Sequence, residues 1–197
     1  MDIRKFFFRY RGITPLPFVL ILLYQSDLTW RGITSGLLIA AFGESIRIAG
    51  IHVAGGRTRT RNVGAKKLCT SGIFSHVRNP LYLGNLLIYI GFAIFAGGPW
   101  ILYLVPIALV YFVIQYALII SLEEERLLEL FGDDYRDYQH QVPRLIPRLT
   151  AWKKEADFKP KPWKKVFRAE KSTLLNQAVF IIILIIKELL INSPNVF

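Results

Sequence analysis

Residues Gly72–Asn85 read Gly-Ile-Phe-Ser-His-Val-Arg-Asn-Pro-Leu-Tyr-Leu-Gly-Asn. The stretch begins as a polar loop and ends as the opening of an apolar helix. Asn79-Pro80 puts proline at a first-turn position, where its missing N–H costs little. Arg78, Asn79, Tyr82 and Asn85 then crowd polar atoms against the mouth of a hydrophobic segment. Such groups are costly to bury without partners, and packing alone does not ask for them. The simplest partner is a polar ligand held there.

The rest of the chain sets the medium. Its 197 residues suit one domain. They are 53% hydrophobic, and the mean hydropathy of +0.36 is high for a soluble protein. The net charge is +11, but the basic residues come in blocks between apolar runs. That is the pattern of a polytopic membrane protein and not of a nucleic-acid binder with one basic face. Cys69 stands alone, which excludes an intramolecular disulfide and a cysteine metal cluster. Phe6–Phe8 are hemmed in by Lys5, Arg9 and Arg11, so no cleavable leader is expected. There is no internal repeat and no low-complexity tract.

Five apolar segments follow, predicting an all-α membrane protein with about five transmembrane helices. Residues 1–12 mix Arg4, Lys5, Arg9 and Arg11 with Phe6, Phe7, Phe8 and Tyr10, as a membrane-surface anchor does. Ile13–Leu28 is the first candidate span, short at 16 residues and with Pro15 and Pro17 at its start. Ile33–Ile51 is the second. Its Glu44 and Arg47 lie three apart on one helical face. The plain reading is a local ion pair near the helix end, with Arg47 reaching for headgroups; the sharper one is a functional pair at membrane depth. Leu81–Gly97 and Trp100–Leu122 form a hairpin around Gly97-Gly98-Pro99, and the second helix should run on to Phe131 before Gly132 ends it. Leu174–Leu190 is the last span, and Ser193–Phe197 lie beyond it.

Between these lie two polar regions. The loop 52–78 has a Gly55-Gly56 breaker, then Arg57, Arg59, Arg61, Lys66 and Lys67. It is weak as a phosphate site and reads better as a loop facing anionic lipid. Thr150–Lys171 is basic and aromatic, not helical throughout, and suited to the membrane surface. The division is therefore a single membrane domain: 1–51 as an N-terminal two-helix part, 52–148 as the core, 149–197 as basic linker and last helix.

With five spans, one side receives residues 1–12, 52–80 and 122–173, which hold 22 of the 25 Lys and Arg residues. The positive-inside rule makes that side cytoplasmic, with the N-terminus inside and the C-terminus outside. Arg78–Asn85 and Glu123–Arg126 then meet on the cytoplasmic face. Three glutamates at a helix C-terminus oppose the macrodipole by roughly 0.3–1 kcal/mol each when exposed. They form either a solvated helix end or a group holding something cationic or rich in hydroxyls, with Arg78 as the protein partner across the hairpin. His76 is a possible base and otherwise a loop histidine. Tyr82, Tyr135 and Tyr138 can stack on a ligand or serve as interface rings. No Ser-His-Asp order, His-x-x-x-His or Walker-type loop is present, which disfavours hydrolysis, zinc chemistry and nucleotide triphosphate use.

Gly72-Ile-Phe-Ser-His-Val-Arg-Asn-Pro-Leu-Tyr-Leu-Gly84 resembles the Gly-Pro-Tyr-x-x-Val-Arg-His-Pro-x-Tyr-x-Gly motif of the integral-membrane methyltransferases. These are the isoprenylcysteine carboxyl methyltransferases and phospholipid N-methyltransferases. A second block resembles the companion motif: Glu124-Glu125-Arg126-x-Leu128-x-x-Phe131-Gly132-x-x-Tyr135-x-x-Tyr138, ending in Val142-Pro143-Arg144-Leu145-Ile146-Pro147. The match covers about residues 43–148. It implies S-adenosylmethionine as methyl donor, S-adenosylhomocysteine as product, and a cytoplasmic cofactor pocket between the loop before the third span and the helix after the fourth. Carried over by position, His76, Arg78, Asn79, Pro80, Tyr82, Leu83, Gly84, Asn85, Glu124, Tyr135 and Tyr138 would bind the cofactor. Arg78, Glu124 and Glu125 would be the catalytic group. Asn79 replaces the family's His; it keeps a donor and an acceptor but cannot titrate near neutral pH.

The implied acceptor is a lipid or other membrane-soluble small molecule, with membrane lipids around it, no metal, no nucleic acid and no obligate protein partner. Methyl transfer from a sulfonium needs donor and acceptor held in line in a dry site. A membrane reductase using NADPH, of the sterol-reductase type, is the rival enzyme, and a non-catalytic scaffold the rival from another class. Arg168 and Glu170 are either acceptor contacts or a plain surface ion pair.

Overall fold

The computed structural model describes residues 2–54, 67–152 and 160–191. The Gly55-Gly56 breaker, the basic residues Arg57, Arg59, Arg61 and Lys66, and the tail Ser193–Phe197 lie outside them.

Seven α-helices carry the described chain: α1 Ile3–Tyr10, α2 Leu16–Gln25, α3 Trp30–Ala54, α4 Pro80–Ala96, α5 Ile101–Phe131, α6 Asp133–Gln141 and α7 Trp163–Ile191. A 3-10 turn at Gly72–Ser75 precedes α4. The all-α expectation holds. α3, α5 and α7 are long and apolar enough to cross a bilayer; α2 and α4 are shorter apolar helices.

Two spans differ from expectation. The first is helical only over ten residues, about 15 Å, half the thickness of a bilayer core. Pro15 and Pro17 hold 11–15 in turns, so helix starts only at Leu16. The segment nevertheless runs beside α5 from end to end, with Arg11 near Glu123, Phe18 on Phe112 and Tyr24 on Trp100. The last helix begins at Trp163, eleven residues before the apolar run, so the end of the basic linker is helical.

α3 and α4 lie antiparallel at backbone distance. A Cβ on Gly36 would come within 2.5 Å of the Gly91 carbonyl, and one on Gly43 within 2.7 Å of the Gly84 carbonyl. Small residues permit such approach where lipid supplies no hydrophobic force between helices. At the opposite end from Arg78, the Gln25 side chain donates to the Gly97 carbonyl and accepts from the Trp100 amide at 3.1 Å. Gly97 and Gly98 there have φ of +61° and +90°, which glycine adopts freely.

Arg47 does not reach for headgroups. It is 4% exposed, and it donates to Asn85 on α4 and to Glu170 on α7, with Glu44 at 3.6 Å. Glu170 is 0% exposed and pairs with Arg47, so it is not half of a surface ion pair. A cation buried in a span needs a carboxylate and further acceptors, and these come from three helices. Gln177 of α7 adds a bond to Glu44 at 2.8 Å.

Candidate active site at the α4–α5 end

α5 is 31 residues long, about 46 Å, and so extends past any bilayer core. Its C-terminal turns stand beside the N-terminus of α4. Gly132, with φ +51°, ends the helix and turns the chain into α6. The segment after α6 then returns under the loop before α4: the Arg78 amide donates to the Pro143 carbonyl at 2.9 Å, and the Arg148 amide to the His76 carbonyl at 2.9 Å.

Arg78 is the centre of this end. Its Nε and Nη2 donate to Glu124 Oε1 at 3.1 and 2.9 Å. Its Nη1 donates to the Gln139 and Val142 carbonyls at 2.7 and 2.6 Å. One guanidinium thus ties α5, the end of α6 and the returning segment. Arg144 donates to both oxygens of Glu124. Glu124 therefore sits buried between two guanidiniums, and the group carries one excess positive charge. The side chain of Arg144 remains 42% exposed.

The three glutamates separate by face. Glu123 accepts from the Tyr82 hydroxyl at 3.0 Å, with Arg11 at 3.9 Å. Its side chain is 27% exposed. Tyr82 also packs its ring 4.8 Å from that of Tyr116. Glu125 turns outward, 56% exposed, and pairs with Arg4 of α1 at 2.6 Å. Glu125 is thus not brought to Arg78: at successive positions a helix turns about 100°, so the carboxylates cannot share a face. Glu123, passed over in the motif reading, is the one that meets Tyr82. The signal was the three-acid run itself, which a motif beginning at Glu124 hides.

The other expected residues divide. Asn79 donates to the Arg144 carbonyl at 3.2 Å and so belongs to this end. His76 Nδ1 faces the Arg148 carbonyl at 2.9 Å. Because a carbonyl only accepts, Nδ1 is the donor in this bond. Pro80 is buried and Leu83 partly buried on the first turns of α4. Gly84 and Asn85 face α3 instead. A side chain on Gly84 would meet the Gly43 carbonyl at 2.6 Å and the stem of Arg47, and Asn85 accepts from Arg47. Tyr135 and Tyr138 are likewise core residues, 1% and 2% exposed, packed with Val142. The Tyr138 hydroxyl donates to the Phe74 carbonyl at 2.7 Å, and its ring stacks on Trp152. Burial pushes both phenols above their usual range. α6 is short and polar, and these two rings supply the apolar face that docks it.

A family described as phospholipid methyltransferase matches residues 32–134. The protein-S-isoprenylcysteine O-methyltransferase of Mus musculus is 29% identical over 136 residues, 66% of this chain and 46% of its own. That of Schizosaccharomyces pombe is 31% identical over 121 residues, 59% of this chain and 50% of its own. Methanethiol S-methyltransferase 2 of Bradyrhizobium diazoefficiens is 31% identical over 105 residues, 53% of this chain and 38% of its own. The chain spans about half the length of the curated relatives it matches. With the three long apolar helices among the described residues, the match marks it as an integral membrane protein.

Proposed function

Because this chain belongs to the phospholipid methyltransferase family, we propose that it transfers a methyl group from S-adenosylmethionine to a membrane-soluble small acceptor at the end of the bundle where α4 begins and α5 leaves. That end would face the cytoplasm, and residues 52–148 would form the methyltransferase core within a single membrane domain. The observation that carries the reading is the pairing of Arg78 and Arg144 with buried Glu124 beside the Glu123–Tyr82 contact. Both motif blocks converge on it from opposite sides of the hairpin.

The donor set suits the cofactor. Arg144, 42% exposed with one positive charge to spare in its group, would take the amino-acid carboxylate. Glu123 would take the ammonium or the ribose hydroxyls, and the Tyr82 ring offers a face to a cation. When bound, the cofactor supplies an electrophilic methyl on a sulfonium. Arg78 would act by holding Glu124 and the returning segment in place, and Asn79 by fixing the backbone of Arg144. In a neutral ring, His76 Nε2 would be the nitrogen open to a proton from the acceptor group. The relatives' names make prenyl-cysteine carboxylates and small thiols the first acceptors to try.

The test is binding and transfer with purified protein in detergent. Labelled S-adenosylmethionine should be retained by the wild type and lost from Glu123→Gln and Arg144→Ala, and the label should pass into a component of a total lipid extract or a prenyl-thiol panel. Retention of NADPH in its place, or of neither, would overturn the proposal.

A further inference from the structure

α7 meets α3 through one polar stripe. Glu170, Thr173 and Gln177 recur at i, i+3 and i+7, the spacing of one helical face. Opposite them stand Glu44 and Arg47. Arg47 donates to Glu170 and lies 3.5 Å from Thr173 Oγ1, and Gln177 donates to Glu44 at 2.8 Å. Between helices in lipid, such bonds fix an orientation that apolar contact leaves open. Further along α7 the same stripe turns apolar, with Phe180 and Leu184 buried. The family match ends at residue 134, so the stripe lies outside it.

On its other side Arg47 meets α4. Its stem passes over Gly84, where a Cβ would strike it, and its Nη1 donates to Asn85. A Cβ on Gly50 would come within 2.8 Å of Leu81 and 3.4 Å of Pro80. Arg47 and Gly50 therefore seat the opening turns of α4 on α3. Tyr82 lies in those turns, and its hydroxyl holds Glu123 at 3.0 Å. A tyrosine hydroxyl stands at least about 6 Å from its helix axis, so rotating α4 by about 10° moves it about 1 Å. A displacement of about 1 Å can cost a positioned site about a hundredfold.

We infer that Glu170 is a positioning residue for the site between α4 and α5, acting through Arg47. A guanidinium is a planar fork whose donors point in fixed directions. Nη2 is taken by Glu170, and that sets where Nη1 holds Asn85. Without the Glu170 carboxylate, Arg47 turns toward Glu44, 3.6 Å from its Nε, and Asn85 loses its anchor. The effect then passes along one turn of α4 to Tyr82 and from its hydroxyl to Glu123.

The experiment uses the full chain in detergent and two readouts. Binding of labelled S-adenosylmethionine rests on the methyl-transfer reading; the fluorine resonance of a fluorotyrosine placed at Tyr82 does not. Glu170→Gln should weaken cofactor binding about fivefold, within the range by which residues away from a ligand modulate its site, and should shift the Tyr82 resonance. In a Tyr82→Phe background the same substitution should add less than about twofold, because the arm it acts on is gone. Leu184→Ala, which loosens α7 about four turns away, should change neither readout. Equal weakening in both backgrounds, an unmoved resonance in Glu170→Gln, or the same shift in Leu184→Ala would each overturn the inference. Arg47→Lys keeps a cation beside Glu170 but has one ammonium for two acceptors, so it should reproduce both effects. Should Glu170→Gln fail to fold, unchanged readouts in Arg47→Lys overturn the inference equally. A wild type that retains no cofactor would overturn the methyl-transfer reading, and the resonance alone would then decide the role of Glu170.

Discussion

Arg78 and Glu124 are 46 positions apart in the chain, and Nη2 of one lies 2.9 Å from Oε1 of the other. Arg144 closes on the same carboxylate from the far side. Removing one member of a buried ion group leaves the others unpaired, at a cost of about 3–5 kcal/mol. Glu124→Gln is therefore expected to destabilise the protein by about that much. Glu125→Gln, removing an exposed pair, should cost about 1 kcal/mol or less. Thermal unfolding in detergent measures both; equal losses would show that the buried carboxylate has been wrongly chosen.

Glu123 and Tyr82 are expected to separate binding from folding. A charge-assisted hydrogen bond is worth about 1.5–3 kcal/mol, so Glu123→Gln should weaken cofactor binding about 10- to 100-fold. Tyr82→Phe, which removes the hydroxyl that fixes Glu123, should cost less. Equilibrium binding of labelled S-adenosylmethionine reads this out. Undiminished binding in Glu123→Gln would remove that residue from the site.

The crossing of α3 and α4 leaves no room for a methyl group. Gly36→Ala would put a Cβ 2.5 Å from both the Gly91 carbonyl and the Phe95 amide. Forcing the helices apart should cost about 1–3 kcal/mol. Gly12→Ala meets nothing within 4 Å and should be nearly neutral. Melting temperatures of the two variants, side by side, check the contrast.

Gln115 of α5 is 1% exposed, and neither polar atom of its side chain has a hydrogen-bond partner among the described residues. Replacing an unpaired buried amide by an apolar group of similar shape relieves a cost of about 1–3 kcal/mol. Gln115→Leu should thus raise the melting temperature. A fall would reveal that the amide is bonded in the folded protein.

Tyr138 gives a pH dependence of known sign. Burial raises its pKa in the folded state above the ordinary value of about 10. The stability it contributes is therefore intact below pH about 10 and is lost as pH rises from there toward the folded value. Ultraviolet absorbance should show the exposed tyrosines ionising first and Tyr138 only with the opening of α6. Tyr138→Phe should flatten that alkaline loss, while costing about 0.5–1.5 kcal/mol at neutral pH for the bond to the Phe74 carbonyl.

Much of the fold was legible as runs and stops. Apolar length fixed α3, α5 and α7, Gly132 fixed the end of α5, and Asn79-Pro80 the start of α4. Each is a local property of backbone and medium. The glycines at 36, 43 and 50, and at 84 and 91, recur every seven residues, a helix-contact signal whose two sides are matched only by the packing of α3 on α4. Of the candidate site, the convergence of Arg78 with Glu124 followed from two helices joined by a tight turn.

Partner choice was another matter, because it depends on angles around helix axes and on elements far away in the chain. Three adjacent glutamates look alike in sequence, yet a turn of about 100° per residue sends one to Tyr82, one to two arginines and one to α1. Arg47 found its carboxylate 123 positions later, at Glu170. Tyr135 and Tyr138 became core because α6 had no other apolar face to bury. Local sequence determined which groups must avoid lipid and where helices start and stop; only tertiary packing decided which counter-charge each buried group would meet, since desolvated charges are satisfied by whatever partner the fold brings within reach.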